Sequence, residues 1–312
     1  MAADALDPIS FTLWRTDPDA FVAALGASFE RHGFAVIRDH GLDEARIGAA
    51  LDTAKSFFAL PAPEKARYVV PGGAGQRGYT PFGVETAKGA AASDLKEFWH
   101  VGRELPPGHP LAEAMPVNLW PAEVAGFRDA VLWLYGALDR LGGELLSAIA
   151  LRLGLARDAF DEAIADGNSV LRLLRYPPLD GEGAAIRAGA HEDINAITLL
   201  LGAEEAGLEI LDREGSWRPV NPPPGSLVVN IGDMLARLTN DVLPSTTHRV
   251  VNPRAERAGV ARYSTPFFLH FRPDFVIRTL PSCVSPGRPD RHPEPITADT
   301  FLRRRLAEIK LA

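Results

Sequence analysis

The sequence predicts an α+β protein with a mainly β core, a sandwich or barrel of short strands preceded by a mixed helical region and one long supporting helix. Three observations carry this expectation. After Asn168, eight short β-branched or aliphatic runs follow one another between Gly and Pro residues, the texture of an antiparallel sandwich or barrel. Before them, Leu134, Leu138, Leu141, Leu145, Ile149 and Leu153 recur at steps of four and three, which lines them up along one stripe of a helix. The length of 312 residues with 46% hydrophobic content suffices for one large core or two closely packed subdomains.

From about Asp17 to Lys65 the pattern reads helix, strand, helix: an amphipathic run through Phe21, Leu25 and Phe29, then the apolar Phe34-Ala35-Val36-Ile37, then a second helix through Ile47, Leu51 and Phe57. Pro61 and Pro63 end that unit. A glycine-rich loop covers Gly72 to Gly83, and a proline-punctuated stretch continues to about Pro121. The long helix spans roughly Val124 to Leu155, and its Gly142-Gly143 pair permits close approach to a sheet or a slight bend. Strands are expected at Val170 to Tyr176, Ala196 to Leu201, Leu208 to Leu211, Trp217 to Val220, Ser226 to Ile231, Thr247 to Val251, Tyr263 to Phe271 and Phe275 to Leu280. A helix from about Thr297 to Lys310 closes the chain. The expected division is therefore 1–120 as an N-terminal region, 121–167 as supporting helices, 168–280 as the β core and 281–312 as a tail with its helix.

Composition excludes several classes. A formal charge of -7, with Lys and Arg scattered along the chain, argues against a nucleic-acid surface, which needs a concentrated positive field. The cluster Arg303-Arg304-Arg305 reads as the solvated face of the last helix. A single cysteine, Cys283, excludes an internal disulfide and any cysteine-rich metal site, and agrees with a reducing compartment. The N-terminus has neither a basic lead nor an apolar h-region, and no run approaches the roughly 18 apolar residues of a spanning helix. The expected location is the cytoplasm, with no membrane partner and the oligomeric state left open.

Gly73-x-Gly75-x-x-Gly78 formally matches a dinucleotide fingerprint. Its context rejects that reading, because a pyrophosphate loop leaves a strand and opens a helix, whereas Pro71 precedes these glycines and Tyr79-Thr80-Pro81 follows. The segment reads as a loop from which Arg77 and Tyr79 reach a pocket mouth. His191-x-Asp193 follows the turn-rich segment Pro177 to Ala190 and directly precedes an apolar strand. On extended backbone, residues i and i+2 share a face, so both side chains can meet one ion while Glu192 points away. His248 stands at a polar approach to the apolar Val250-Val251, on a strand that an antiparallel barrel can bring beside the first pair. Two neutral imidazoles and one carboxylate on one face of an octahedron leave three positions open, as a non-haem Fe(II) centre requires. Arg262 and Ser264 repeat the i, i+2 spacing at the start of an apolar run. An inward guanidinium calls for a buried anion, either an internal Asp or Glu or a bound carboxylate.

Taken together these segments resemble the 2-oxoglutarate and Fe(II)-dependent dioxygenase superfamily, in its isopenicillin N synthase-like branch. The resembling stretches occur in order: Gly33 to Leu42, Asp94 to Phe98, Leu171 to Pro178, His191-Glu192-Asp193 with Thr198-Leu199-Leu200, Gly207 to Ile210, Pro224 to Asp233, His248-Arg249-Val250 and Arg262-Tyr263-Ser264. The resemblance implies a jelly roll, a double-stranded β-helix, that holds Fe(II) through His191, Asp193 and His248. It implies 2-oxoglutarate with its far carboxylate on Arg262 and Ser264, assisted by Tyr176. Where relatives often carry a polar amide, two positions before Tyr176, this chain has Leu174. His40 is given a structural role, and Arg77, Tyr79, Phe98, His100, Leu208 and His270 are candidates for the substrate pocket.

The implied activity couples decarboxylation of 2-oxoglutarate to hydroxylation, desaturation or cyclisation of a small organic substrate by dioxygen, with ascorbate as a stimulant. Competing readings are an oxidase that takes substrate in place of 2-oxoglutarate, an ethylene-forming type of enzyme, a zinc hydrolase on the same ligands, and a non-catalytic jelly-roll binding protein. Succinate release separates the first from the favoured reading, and headspace gas analysis the second.

Overall fold

A proline at the first position and an acidic cap start the first long helix, and this local chemistry repeats through the N-terminal region. The computed structural model describes residues 6–73, 75–84, 94–178, 187–202, 207–252 and 259–308. The first five residues, Ala74 and residues 179–186 of the segments expected as loop and turn, and residues 309–312, which include the expected helix end at Lys310, lie outside that description. Strand β1 (Pro8–Ser10) and the turn α1 (Leu13–Thr16) lead into α2 (Pro18–His32). The Asp17 side chain accepts from the Ala20 N–H, and Gly33 at φ 67° ends the helix in the left-handed conformation that glycine adopts without strain. Strand β2 (Phe34–Arg38) follows, then α3 (Glu44–Phe58), capped by Asp43 at the amides of Ala45 and Arg46, and the short α4 (Ala62–Ala66).

Strands β3 (Gly78–Thr80) and β4 (Glu97–Gly102) precede the long α5 (Phe127–Arg152) and the short α6 (Asp161–Ile164). The β core then runs through β5 (Val170–Tyr176), β6 (Ala188–His191), β7 (Ile197–Leu201), β8 (Leu208–Leu211), β9 (Trp217–Pro219) and β10 (Leu227–Ile231). It continues through α7 (Asp233–Leu238), β11 (His248–Val250), β12 (Arg262–Leu269), the ribbon of β13 (Val276–Ile277) with β14 (Ile296–Thr297), and α8 (Ala298–Glu308).

The strands form a larger sheet in the order β1-β2-β10-β7-β12-β5-β4-β3 and a smaller one in the order β6-β11-β8-β9, the two-sheet jelly roll. One face of the larger sheet packs on α2, α3 and α5. Leu171, Leu173, Leu199, Phe267 and Leu269 join Leu134, Leu138, Leu141 and Leu145 of α5 there in one apolar core. A methyl group at Gly142 would sit 2.4 Å from Leu269 Cδ1, so glycine lets the helix lie against the sheet. The other face looks toward the smaller sheet. Phe34, Val36, Leu208, Ile210, Val220 and Val228 fill one part of that space, and Phe98, Leu174 and Tyr176 another.

The structure adds elements that the sequence pattern did not announce. Strand β4 is buried at all six positions, so it shows no polar and apolar alternation to read. Strand β6 begins within the segment read as turn-rich, Pro177 to Ala190, and β1, β3 and α7 are too short for periodicity to register. The expected strand Phe275 to Leu280 pairs only at Val276 and Ile277; the Phe275 amide turns back to Arg272 and the Leu280 amide bonds Leu238 of α7. Among the described residues, no helix is long and apolar enough to cross a membrane.

Candidate functional site

His191 ends β6 and His248 opens β11, and the two residues face each other directly in the antiparallel ladder, with ring centroids 4.3 Å apart. Asp193 lies just past β6 in the turn toward β7, so a turn, not a shared strand, delivers the carboxylate. Each histidine Nε2 stands 3.9 Å from Asp193 Oδ1, and one donor atom from each residue falls within 4.8 Å of the others.

Hydrogen bonds fix which atoms converge. A carbonyl can only accept, so His191 Nδ1–H donates to Gly189 O at 2.7 Å and His248 Nδ1–H to Thr246 O at 3.1 Å. Both Nε2 lone pairs are left for the site. The Asp193 Oδ2 atom accepts from Thr198 Oγ1 at 2.5 Å and Asn230 Nδ2 at 2.8 Å, which leaves Oδ1 turned to the imidazoles. The turn itself is pinned by the Asp233 amide on Asp193 O at 2.7 Å and the Gly232 amide on Ala196 O at 2.9 Å. Gly232 has no room for a side chain, since a Cβ would meet Asn195 O at 2.2 Å.

Electrostatics agree with this assignment of roles. Burial opposes ionisation of Asp193, but His248, His191 and the bonds from Asn230 and Thr198 outweigh it and hold the carboxyl below its usual range. The His191 side chain keeps 37% of its surface accessible. Burial by dense surroundings, followed by repulsion from His248, pushes it down to about 4, so the ring is neutral at pH 7. Two imidazole nitrogens and one carboxylate oxygen, spaced so that bonds of about 2.0–2.2 Å can reach a common centre, fit a divalent transition metal.

Arg262 pairs with Tyr176, and Ser264 with Leu174, across the β12–β5 ladder. Arg262 is 1% exposed. Its guanidinium carbon lies 5.3 Å from the Tyr176 ring centroid, and its Nε–H donates to no atom among the described residues. A buried cation with an unused donor fits a bound carboxylate. Leu174 packs with Phe98 and Tyr176, so this corner is apolar where the sequence had marked a departure. Arg187 is equally buried and lies 5.6 Å from the same Tyr176 ring. Sequence reading missed it, because one arginine in a turn-rich segment carries no periodic signal.

The remaining pocket candidates separate by strand face. Phe98 and His100 sit on the inner face of β4, whereas Tyr79 pairs with Trp99 and belongs to the helix-facing core. There its hydroxyl donates to Glu97 Oε2 at 2.5 Å, so it does not join His100. Arg77 lies over Gly102, with Nε–H donating to Pro116 O at 2.9 Å and Nη1–H to Gln76 O at 2.7 Å. Leu208 is part of the apolar fill between the sheets. His270, just beyond β12, donates Nδ1–H to Phe268 O at 3.2 Å, and burial pushes it down to about 4. His40 is structural here, its Nδ1 accepting the Leu42 N–H. Thr198 and Asn230, which orient the carboxylate, fall within the resembling stretches but were given no role from the sequence, where they are single polar residues on apolar strands.

Two family models match the chain: residues 6–123 match the N-terminal region of non-haem dioxygenases, described for morphine synthesis, and residues 167–271 match the 2OG-Fe(II) oxygenase superfamily. A 2-oxoglutarate-Fe(II) type oxidoreductase of Emericella nidulans is 36% identical over 288 residues, covering 88% of this chain and 81% of the relative. A crystal structure of a 2OG-Fe(II) oxygenase family protein from Caulobacter crescentus superposes with a TM-score of 0.93 at 62% identity, covering 98% of this chain and 99% of the other. A Neurospora crassa protein solved in complex with alpha-KG and thymine gives a TM-score of 0.84 at 29% identity, covering 98% of each chain. The jelly roll, the convergent His-Asp-His set and this similarity over most of its length lead to one conclusion: the chain belongs to the 2-oxoglutarate and Fe(II)-dependent oxygenase superfamily.

Proposed function

We propose that His191, Asp193 and His248 are the iron ligands, that Arg262 and Ser264 with Tyr176 hold the far carboxylate of 2-oxoglutarate, and that the enzyme oxidises a C–H bond of a small organic molecule. The observation that carries the assignment is the division of the Asp193 carboxylate, one oxygen bonded by Thr198 and Asn230 and the other 3.9 Å from both Nε2 atoms. When bound, iron and 2-oxoglutarate supply the oxidising chemistry, in which dioxygen is reduced as the cosubstrate is converted to succinate and carbon dioxide. The chain supplies orientation. Its tautomer-fixing carbonyls aim the two imidazoles, and the Tyr176 ring and the β12–β5 ladder fix the Arg262 guanidinium. The apolar residues between the sheets exclude water from the reacting groups.

The resembling stretches, which occur in order along the chain, support the isopenicillin N synthase-like branch, with residues 168–280 as the catalytic core, the preceding regions as its support and 281–312 as the tail. Relatives named gibberellin 20 oxidase, proline hydroxylase and flavanone 3-dioxygenase support a small-molecule substrate and hydroxylation, desaturation or ring closure as the outcome. The negative net charge supports an enzyme without a nucleic-acid partner, and the single cysteine supports a reducing compartment such as the cytoplasm. The test is succinate release with Fe(II), 2-oxoglutarate and ascorbate against a panel of small metabolites. We expect substrate-dependent succinate from the wild type, background from His248→Ala, and an apparent KM for 2-oxoglutarate raised at least about tenfold in Arg262→Met. Wild-type turnover in His248→Ala would remove the metal assignment.

A further inference from the structure

The C-terminal arginine cluster does not form one solvated face. Arg303 and Arg304 are exposed on α8, but Arg305 is half-buried and shares its side of the helix with Phe301 and Leu302, which pack on the apolar core. Its Nη2 lies 3.0 Å from Asp233 Oδ2. Asp233 is the first residue of α7, and its side chain keeps only 13% of its surface accessible. Among the described residues, Arg305 is the ion-pair partner of that carboxylate.

The contacts of Asp233 lead to the metal centre. A helix start leaves amides without partners in its own first turn, and at α7 three of them hold the ligand turn. Gly232 N–H donates to Ala196 O at 2.9 Å, Asp233 N–H to Asp193 O at 2.7 Å and Met234 N–H to Asn195 O at 3.1 Å. The Ser245 side chain lies beside the same Asp233 carboxylate, although its hydroxyl makes no well-formed hydrogen bond among the described residues. The next residue, Thr246, supplies the carbonyl that takes His248 Nδ1–H. Asp233 thus stands between the backbone that carries Asp193 and the backbone that aims His248. Glu192 and Asp193 both lie near enough to repel its carboxylate, and Arg305 supplies the opposing attraction. The far end of α7 is tied separately, by the Leu280 amide on Leu238 O and by Arg237 Nη2–H on Glu294 O, so Arg305 acts at the end that touches the ligand turn.

We propose that Arg305 is a positioning residue for the metal centre: from the C-terminal helix it holds the Asp233 carboxylate, and through Asp233 it fixes the start of α7 and the turn that delivers the Asp193 ligand. This rests on the functional reading above and adds the last helix of the chain to the groups that determine iron affinity. Without the guanidinium, repulsion by Glu192 and Asp193 turns Asp233 outward, and the three amides move with it. Asp193 Oδ1 then shifts relative to the two imidazoles.

The test measures Fe(II) dissociation constants of the full chain, under anaerobic conditions, by competition with a chelating dye. Arg305→Met should weaken Fe(II) binding about three- to tenfold, less than the loss of about 10–100-fold for groups that bond a ligand directly. Arg305→Lys should recover most of that loss, because the charge is kept. Asp233→Asn keeps the backbone N–H but not the charge and should weaken binding by a similar factor. Combined with Arg305→Met it should lose no more than Arg305→Met alone, as expected of two groups that act as one unit. Arg303→Met, which breaks the exposed Arg303–Asp299 pair at 2.8 Å on the same helix, should stay within about twofold of the wild type and controls for loosening of α8. Wild-type affinity in Arg305→Met, an equal loss in Arg303→Met, no recovery in Arg305→Lys or additive losses in the double variant would each overturn the proposal. Circular dichroism checks the fold of every variant; should Arg305→Met fold poorly, wild-type affinity in Asp233→Asn overturns the proposal by itself. His248→Ala keeps the two readings apart: Fe(II) affinity that survives it counts against the metal assignment, whereas affinity lost there but unchanged in Arg305→Met counts against Arg305 alone.

Discussion

At the scale of single residues, the two oxygens of Asp193 have different employments, and this asymmetry determines how a metal would be held. Thr198 and Asn230 take Oδ2; removing them frees the carboxylate to rotate away from the imidazoles. Such outer hydrogen bonds are worth about 10–100-fold in metal affinity. Thr198→Val and Asn230→Ala should each weaken Fe(II) binding within that range, measured by competition with a chelating dye, while circular dichroism reports an unchanged fold. Wild-type affinity in both would show that the turn alone, pinned by Asp233 and Gly232, orients the ligand. His-x-Asp directly before an apolar strand and Arg262 at the start of another stand out in the sequence because ionisable groups are costly to bury without partners. Thr198, Asn230 and Arg187 do not stand out, since their meaning lies in partners far along the chain.

At the scale of elements, β4 is the strand that periodicity could not find and the one on which much depends. Its inner face carries Phe98 and His100. Its outer face sends Glu97 into a buried node where Lys65 Nζ donates to Oε2 at 2.8 Å, Tyr79 Oη at 2.5 Å and Arg175 Nη1 to Oε1 at 2.5 Å. This node joins α4, β3, β4 and β5. Burial alone would raise the Glu97 carboxyl, but the bonds from Lys65, Tyr79 and Arg175 hold it below its usual range. A lowered carboxyl contributes stability that is complete above its unfolded value near 4.5 and is lost as pH falls through the folded value. Glu97→Gln should cost roughly 3–5 kcal/mol at pH 7 by leaving Lys65 buried without its counter-charge. Its urea midpoint should also depend less on pH below about 4.5 than that of the wild type. Identical acid profiles would assign the acid sensitivity to other carboxylates. By contrast α5, β5 and β8 were legible to within a few residues, because a leucine stripe and short bounded apolar runs announce themselves locally.

For the whole molecule, helices brace one side of the larger sheet while the groups proposed to hold iron and 2-oxoglutarate come from β5, β6 and the turn after it, β11 and β12. Binding therefore ties both sheets together and stabilises the folded state over the unfolded one. At about a hundredfold excess over its dissociation constant a ligand adds ~2.7 kcal/mol. Fe(II) with 2-oxoglutarate should accordingly raise the melting temperature by roughly 5 °C or more in scanning calorimetry, and EDTA should reverse it. An unchanged melting temperature at saturation would mean that the site binds equally well when the sheets come apart. The class of architecture was legible because short strands and a single leucine helix leave few alternatives. The sheet order was not, since it depends on which distant strands pair, as β2 does with β10.

The direct pairing of His191 with His248 across one rung of β6 and β11 has a further consequence. The ladder sets the spacing of the two rings, with centroids 4.3 Å apart and tilted by 50°, so the backbone fixes much of the donor geometry that any divalent metal would meet. Imidazole and carboxylate donors ordinarily rank zinc above ferrous iron. Zinc bound to the same three donors would therefore give a well-folded but redox-silent twin of the enzyme.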